Sequence, residues 1–185
     1  MPIFARLRAN PYAVSAFKAL TWFPVVVFFV DHGFSYATVD GRSMQPTFNP
    51  DSNMLRRDVV LLNKWSAMNH EFKRGEVVTL TSPTNPNRII TKRIIALEGD
   101  IVKPLRKKDT VSVPKGHCWV EGDEAFHSKD SNSFGTVPMG LINAKVTHIL
   151  WPLSRSGRVE LKPLSERVKV GFIQPNQLEE DHWYW

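Results

Sequence analysis

Seven short runs between Asp58 and Pro152 constrain the fold most. DVVLLNKW (Asp58 to Trp65), GEVVTLTS (Gly75 to Ser82), RIITKRIIAL (Arg88 to Leu97), GDIVK (Gly99 to Lys103), TVSV (Thr110 to Val113), HCWVEG (His117 to Gly122) and THILWP (Thr147 to Pro152) all read as strands. Many are rich in Val and Ile, and Gly, Pro, Asn or Asp bounds them. SPTNPN (Ser82 to Asn87) reads as the turn between two of them. No helix-period stretch of comparable strength follows residue 30, and no repeat is visible. Short strands with frequent turns imply a mainly β domain built on an antiparallel sheet, folded over or partly closed.

Ahead of these strands lies a different kind of segment. Pro11 to Val30 carries a single charge, Lys18. As a helix its length would be about 30 Å, the thickness of a hydrocarbon core. Asn10 and Pro11 suit a helix start. Three readings fit: a transmembrane anchor, a cleaved secretory signal ending near Ser35-Tyr36-Ala37, or a buried amphipathic helix. The anchor reading divides the chain into a tail (1–10), an anchor (11–30), a β-domain (31–152) and a C-terminal extension (153–185). It also gives membrane lipid as a partner. Arg6, Arg8 and Lys18, with no acid before Asp31, fit mitochondrial targeting.

A 42% hydrophobic content allows a real core in a chain of 185 residues. The net charge of +6 is spread along the chain. Its densest cluster, Arg106 to Lys108, reads as a solvated hairpin tip, and no RNA-binding aromatic signature accompanies it. Nucleic acid is therefore not an expected partner. The lone cysteine, Cys118, sits in a strand-like run and reads as a small buried apolar residue. With one cysteine and no His-Glu-x-x-His pattern, neither a metal nor another cofactor is expected.

Two stretches carry chemistry. GRSMQPT (Gly41 to Thr47) holds Ser43, a candidate nucleophile, and RIITKRIIALEGD (Arg88 to Asp100) holds Lys92, a candidate base. A serine hydroxyl needs a neighbouring base to take its proton. A lysine can serve if burial lowers its pKa from ~10.4 to roughly 7, at a cost on the order of 4 kcal/mol. Side chains alternate along a strand, so Ile90, Lys92 and Ile94 would share one face. An ammonium bracketed by two isoleucines is poorly solvated, although a lysine on a half-exposed strand can also snorkel to water.

These blocks, with GDEAFHSKDSNSFG (Gly122 to Gly135), resemble those of the type I signal peptidase family in motif, order and spacing. The resemblance covers much of residues 41 to 135. The compact size, without a large insertion before the third block, is similar to the mitochondrial inner membrane peptidases. It implies a Ser43–Lys92 dyad, with Ser128 orienting the lysine and Asp130 as a scaffold for its loop. Gly41 would contribute to the oxyanion site through backbone alone, where many bacterial relatives have a serine. Met44 and Pro46 would shape the turn and the substrate groove, with core packing as the alternative. It further implies presequence-bearing precursors as substrates, a second peptidase subunit as partner, and a single-pass protein whose catalytic domain faces the intermembrane space. Asn132 stands where related enzymes usually have arginine, so Asp130 needs another partner, and Arg93 is one candidate. A histidine base (His117, His127 or His148) and a non-catalytic assembly subunit are the rival readings.

Overall fold

The computed structural model describes residues 11–50, 57–106 and 108–171. The N-terminal tail 1–10, including Asn10, and the C-terminal Trp183 to Trp185 lie outside the described residues. The first element is a helix, α1 (Pro11–His32). It coincides with the apolar segment, but the expected transmembrane anchor needs correction. Among the described residues no helix is long and apolar enough to cross a membrane. Lys18 and Pro24 interrupt the apolar run, and Thr21 turns its hydroxyl back to the Lys18 carbonyl at 2.8 Å. The single-pass topology built on that anchor is withdrawn with it.

The rest is mainly β. The larger sheet uses β1 (Phe34–Thr38), β2 (Val59–Asn63), β3 (Val77–Ser82), β4 (Asn85–Leu97), β7 (His117–Glu121), β8 (Val137–Pro138), β9 (Ile142–Trp151) and β10 (Gly157–Arg158). Its order is β1-β2-β9-β3-β4-β7-β8, with β10 paired to β9. A smaller sheet joins β5 (Ile101–Val102), β6 (Val111–Ser112) and β11 (Val168–Lys169) in the order β11-β5-β6. Every pairing is antiparallel, as short Val/Ile-rich runs between tight turns imply.

Each run read as a strand contains one. The turn between β3 and β4 is tighter than SPTNPN suggested. Ser82 pairs with Asn85, and the Ser82 and Thr84 hydroxyls lie 3.1 Å apart. Residues 103–110 connect β5 to β6, and Arg106 and Lys108 of the expected solvated tip are exposed.

Three apolar clusters hold the domain. Val39, Met44, Phe48, Val60, Val77 and Val146 form one of them beneath the Gly41 to Thr47 turn. Val78, Leu80, Ile94, Val120, Val137 and Ile142 form the second under β3, β4 and β7. Trp119, Val102, Val113 and Val168 join the small sheet to the large one. Burying side chains of this size contributes roughly 1.5–3 kcal/mol each. Clusters on both sides of β4 therefore hold its residues firmly in place.

Candidate active site

The Gly41 to Thr47 turn follows β1 and is pinned at both ends. Asn49 does much of this work. Its side-chain amide donates to the Val39 carbonyl (2.8 Å) and the Gly41 carbonyl (3.3 Å). Its backbone N–H donates to the Asp58 carboxylate, and its side-chain Oδ1 accepts from the Asp58 N–H, both at 2.8 Å. Arg155 closes the far side with two bonds to the Asp58 carboxylate (3.1 and 2.9 Å) and one to the Thr47 carbonyl (2.8 Å). Met44, 1% exposed, is the plug that drives the turn into the core. The Gln45–Pro46 peptide is cis.

This arrangement leaves Ser43 at the surface of a cleft and brings Lys92 to it. Lys92 Nζ donates to Ser43 Oγ at 2.8 Å. Lys92 lies on β4, opposite Val78 on β3, and is 3% exposed. Ile90 and Ile94 flank it on the same strand and pack into the second apolar cluster. Burial is the chief cause that lowers its pKa to about 8, and Arg88 lowers it further, against the opposing charges of Asp130 and Asp123. The ammonium does not snorkel away from its apolar neighbours.

The third block closes over the pair. Glu124 N–H donates to the Ser43 carbonyl at 3.1 Å. A Cβ on Gly122 would stand 2.4 Å from both the Ser43 carbonyl oxygen and Ser128 Oγ, so this close approach requires glycine. Asp130 acts within its own loop. Its carboxylate accepts from Gly122 N–H (3.0 Å), Asn132 N–H (3.1 Å) and the Asn132 side-chain amide (3.1 Å). Asn132 also donates to Glu121 and accepts from Leu105 N–H. The residue standing in place of arginine is thus itself the partner of Asp130. Arg93 is not: it forms a two-bond pair with Asp123, at 2.9 and 2.8 Å.

That pair anchors a buried charge cluster. Asp123 also accepts from the Thr47 hydroxyl and pairs with Lys162 at 2.9 Å. Burial alone would raise the Asp123 pKa, but bonds from Arg93, Lys162 and Thr47 hold it at about 2. Arg93 further donates to the Gly75 and Glu160 carbonyls. Sequence reasoning missed Asp123, Thr47, Asn49, Asp58 and Arg155. The Gly-Asp start of the third block was a signal for Asp123. Asp58 and Arg155 are 97 residues apart and gave none.

Other expectations fall differently. Ser128 Oγ is buried and makes no hydrogen bond among the described residues, to Lys92 or to any other group. Gly41 has φ +84°, a left-handed conformation that favours glycine, and no atom lies within 4 Å of where its Cβ would be. Ser43 N–H makes no hydrogen bond among the described residues, which leaves it open to an oxyanion. A cleft of about 820 Å³ runs past Ser43 and Lys92 between Ala37, Thr38 and Asp40 on one wall and Arg88 to Thr91 on the other. Neither Met44, which is in the core, nor Pro46 is among the residues lining it. His127 lines the cleft without a bond to Ser43, while His117 engages the Lys115 carbonyl. Cys118 is buried and its thiol pKa is pushed up to about 12 by that burial, so it is no nucleophile.

The chain matches the family described as "Signal peptidase, peptidase S26" over residues 12–111 and 102–151. It is 55% identical over 141 residues to the mitochondrial inner membrane protease subunit 2 of Schizosaccharomyces pombe, covering 75% of this chain and 77% of that one. Against the mouse (Mus musculus) protein of the same description it is 54% identical over 138 residues, covering 74% and 78%. The human (Homo sapiens) counterpart is 51% identical over 148 residues, covering 80% and 84%.

Proposed function

This chain belongs to the signal peptidase family, peptidase S26, and we propose that it is the serine endopeptidase that removes sorting presequences from proteins delivered to the mitochondrial intermembrane space. The three relatives are named as inner membrane protease subunits, which supports work at that membrane beside a second peptidase subunit. Ser43 is the nucleophile and Lys92 the general base.

The chemistry follows from the geometry. Neutral Lys92 takes the Ser43 hydroxyl proton as Oγ attacks the carbonyl carbon of the residue before the cut. The carbonyl electron pair moves onto oxygen, and Ser43 N–H stabilises the resulting oxyanion. As the C–N bond breaks, Lys92 returns its proton to the leaving amine. A water then attacks the acyl-enzyme while Lys92 takes its proton, and the proton returns to Ser43 Oγ as the acid product leaves. No metal or cofactor enters any step.

The observation that carries this reading is the 2.8 Å contact between a buried lysine and the serine of an open cleft. The test is processing of a presequence-bearing precursor by the full chain in its complex, wild type against Ser43→Ala and Lys92→Met. Loss of processing in both variants, with folding and assembly intact, supports the dyad. Processing that survives Ser43→Ala transfers the reading to a non-catalytic assembly subunit.

A further inference from the structure

The same cleft holds charges that the proposed reaction does not use. Its lining includes Asp40, Arg88, His127 and Lys129 beside the dyad. Asp40 is engaged by Arg57 at 2.8 Å. Arg88 and Lys129 are exposed and make no ion pair among the described residues. The acidic charge of the cleft is thus answered from within the protein, and two cations are left facing whatever enters.

Their placement relative to the cut is fixed by the fold. Arg88 and Lys92 are four apart on β4 and share a face. At about 3.3 Å per residue their Cα atoms are separated by roughly 13 Å along the strand. Lys129 follows Ser128, whose buried hydroxyl abuts Gly122 next to Ser43. Arg88 therefore stands along the β4 wall at a distance from the reacting pair, and Lys129 lines the same cleft from the third block. A substrate strand lying along that wall would put its side chains three to five residues from the cut within reach of Arg88.

We propose that Arg88 and Lys129 determine specificity by pairing with an acidic side chain of the substrate segment that flanks the cut. This rests on the peptidase reading of the site and adds the chemical class of residue that the cleft selects. A surface lysine and arginine are more often just solvated, but these two line one cleft with the nucleophile and have no ion-pair partner among the described residues.

The test uses the full chain and peptides cut at one defined bond, in which glutamate, glutamine or lysine occupies each of five positions on either side. The readout is the ratio of kcat/KM for the glutamate and glutamine peptides at one pH. That ratio cancels the effect of Arg88 on the Lys92 pKa, because both peptides meet the same lysine. Wild type should prefer glutamate about fivefold at one position three to five residues from the cut, in line with a partly exposed ion pair. Arg88→Gln should bring the ratio at that position towards one, and Arg88→Glu should invert it in favour of lysine. The same series is read as Kd on Ser43→Ala, so the preference is measured even if Ser43 is not the nucleophile. A ratio near one at every position by both readouts, or a preference unchanged in Arg88→Glu combined with Lys129→Glu, overturns the assignment. Neither result touches the dyad, which the effect of Ser43→Ala on turnover decides separately.

Discussion

Replacing Lys92 with methionine should abolish processing and also stabilise the folded chain at neutral pH. The second effect is the stricter test. Folding moves the ammonium from water to a site where its pKa falls from 10.5 to about 8, with burial the main cause. A shift of about 2.5 units corresponds to roughly 3 kcal/mol against the charged form. At pH 7 the lysine is mostly charged in both states, so that cost is borne in full. Methionine removes it and forfeits the bond to Ser43, which is worth ~1 kcal/mol. The net gain is about 2 kcal/mol at pH 7.

The sign with pH follows from proton counting. Between about pH 8 and 10.5 the unfolded chain binds the proton that the folded chain has lost, so wild-type stability rises through that window. The gap between variant and wild type should therefore shrink by about 3 kcal/mol between pH 7 and pH 10.5 and end slightly in favour of wild type. Other groups titrate equally in both proteins and cancel. Urea unfolding of both proteins at a series of pH values measures the gap. A gap that is constant with pH would show that Lys92 is not desolvated in the folded state, and the argument for a neutral base would fail.

Other outcomes follow from the same structure. The kcat/KM of wild type should climb about tenfold per pH unit below about pH 8 and level off above it, as the neutral fraction of Lys92 grows; a pH-rate profile shows this. Gly122→Ala should lower kcat by about 10²-fold while the protein stays folded, since the new methyl displaces Ser43 or Ser128; single-turnover kinetics with circular dichroism separates the two effects. Arg155→Ala should cost about 2 kcal/mol in urea unfolding, because it leaves the buried Asp58 carboxylate with fewer donors. Asp123 supports stability above about pH 4 and loses that support as pH falls towards 2. Asp123→Asn should therefore be less stable by at least about 2 kcal/mol at pH 6, with the difference narrowing in acid, as measured by unfolding at pH 6 and pH 3.

The pairing of Ser43 with Lys92 was legible in the sequence because each lies in a short, unusual local pattern. Alternation along β4 put the lysine between Ile90 and Ile94 before any partner strand was known. The strand runs were legible for the same reason, as a period of two survives in five or six residues. β8, β10 and β11 are two-residue pairings, too short to show a period by themselves; β5 and β6 are as short and showed only through the residues that bound GDIVK and TVSV. The long segment 11–30 misled because length and few charges resemble a span, while Lys18 and Pro24 break its apolar run. Met44 was read as shaping the turn and groove, with core packing as the alternative, and its side chain turns under the loop into the core. Asp123, Asp58 and Arg155 act through ion pairs between distant parts of the chain, and pairwise complementarity leaves no local trace. Arg93 was read as an available cation, and only the fold shows that Asp123 claims it.

The grip on the Gly41 to Thr47 turn comes late in the chain. Arg155 holds the Thr47 carbonyl, and Lys162 joins Arg93 on the carboxylate that also takes the Thr47 hydroxyl. A polypeptide ending at residue 150 would contain Ser43, Lys92, Ser128 and Asp130 and would pass any inventory of motifs. It would still lack the clasp that sets the serine. The turn that carries the serine is therefore completed only once Arg155 and Lys162 are in place. Loss of the segment from residue 155 onward would remove both cations from the turn while every residue of the three blocks remained in place.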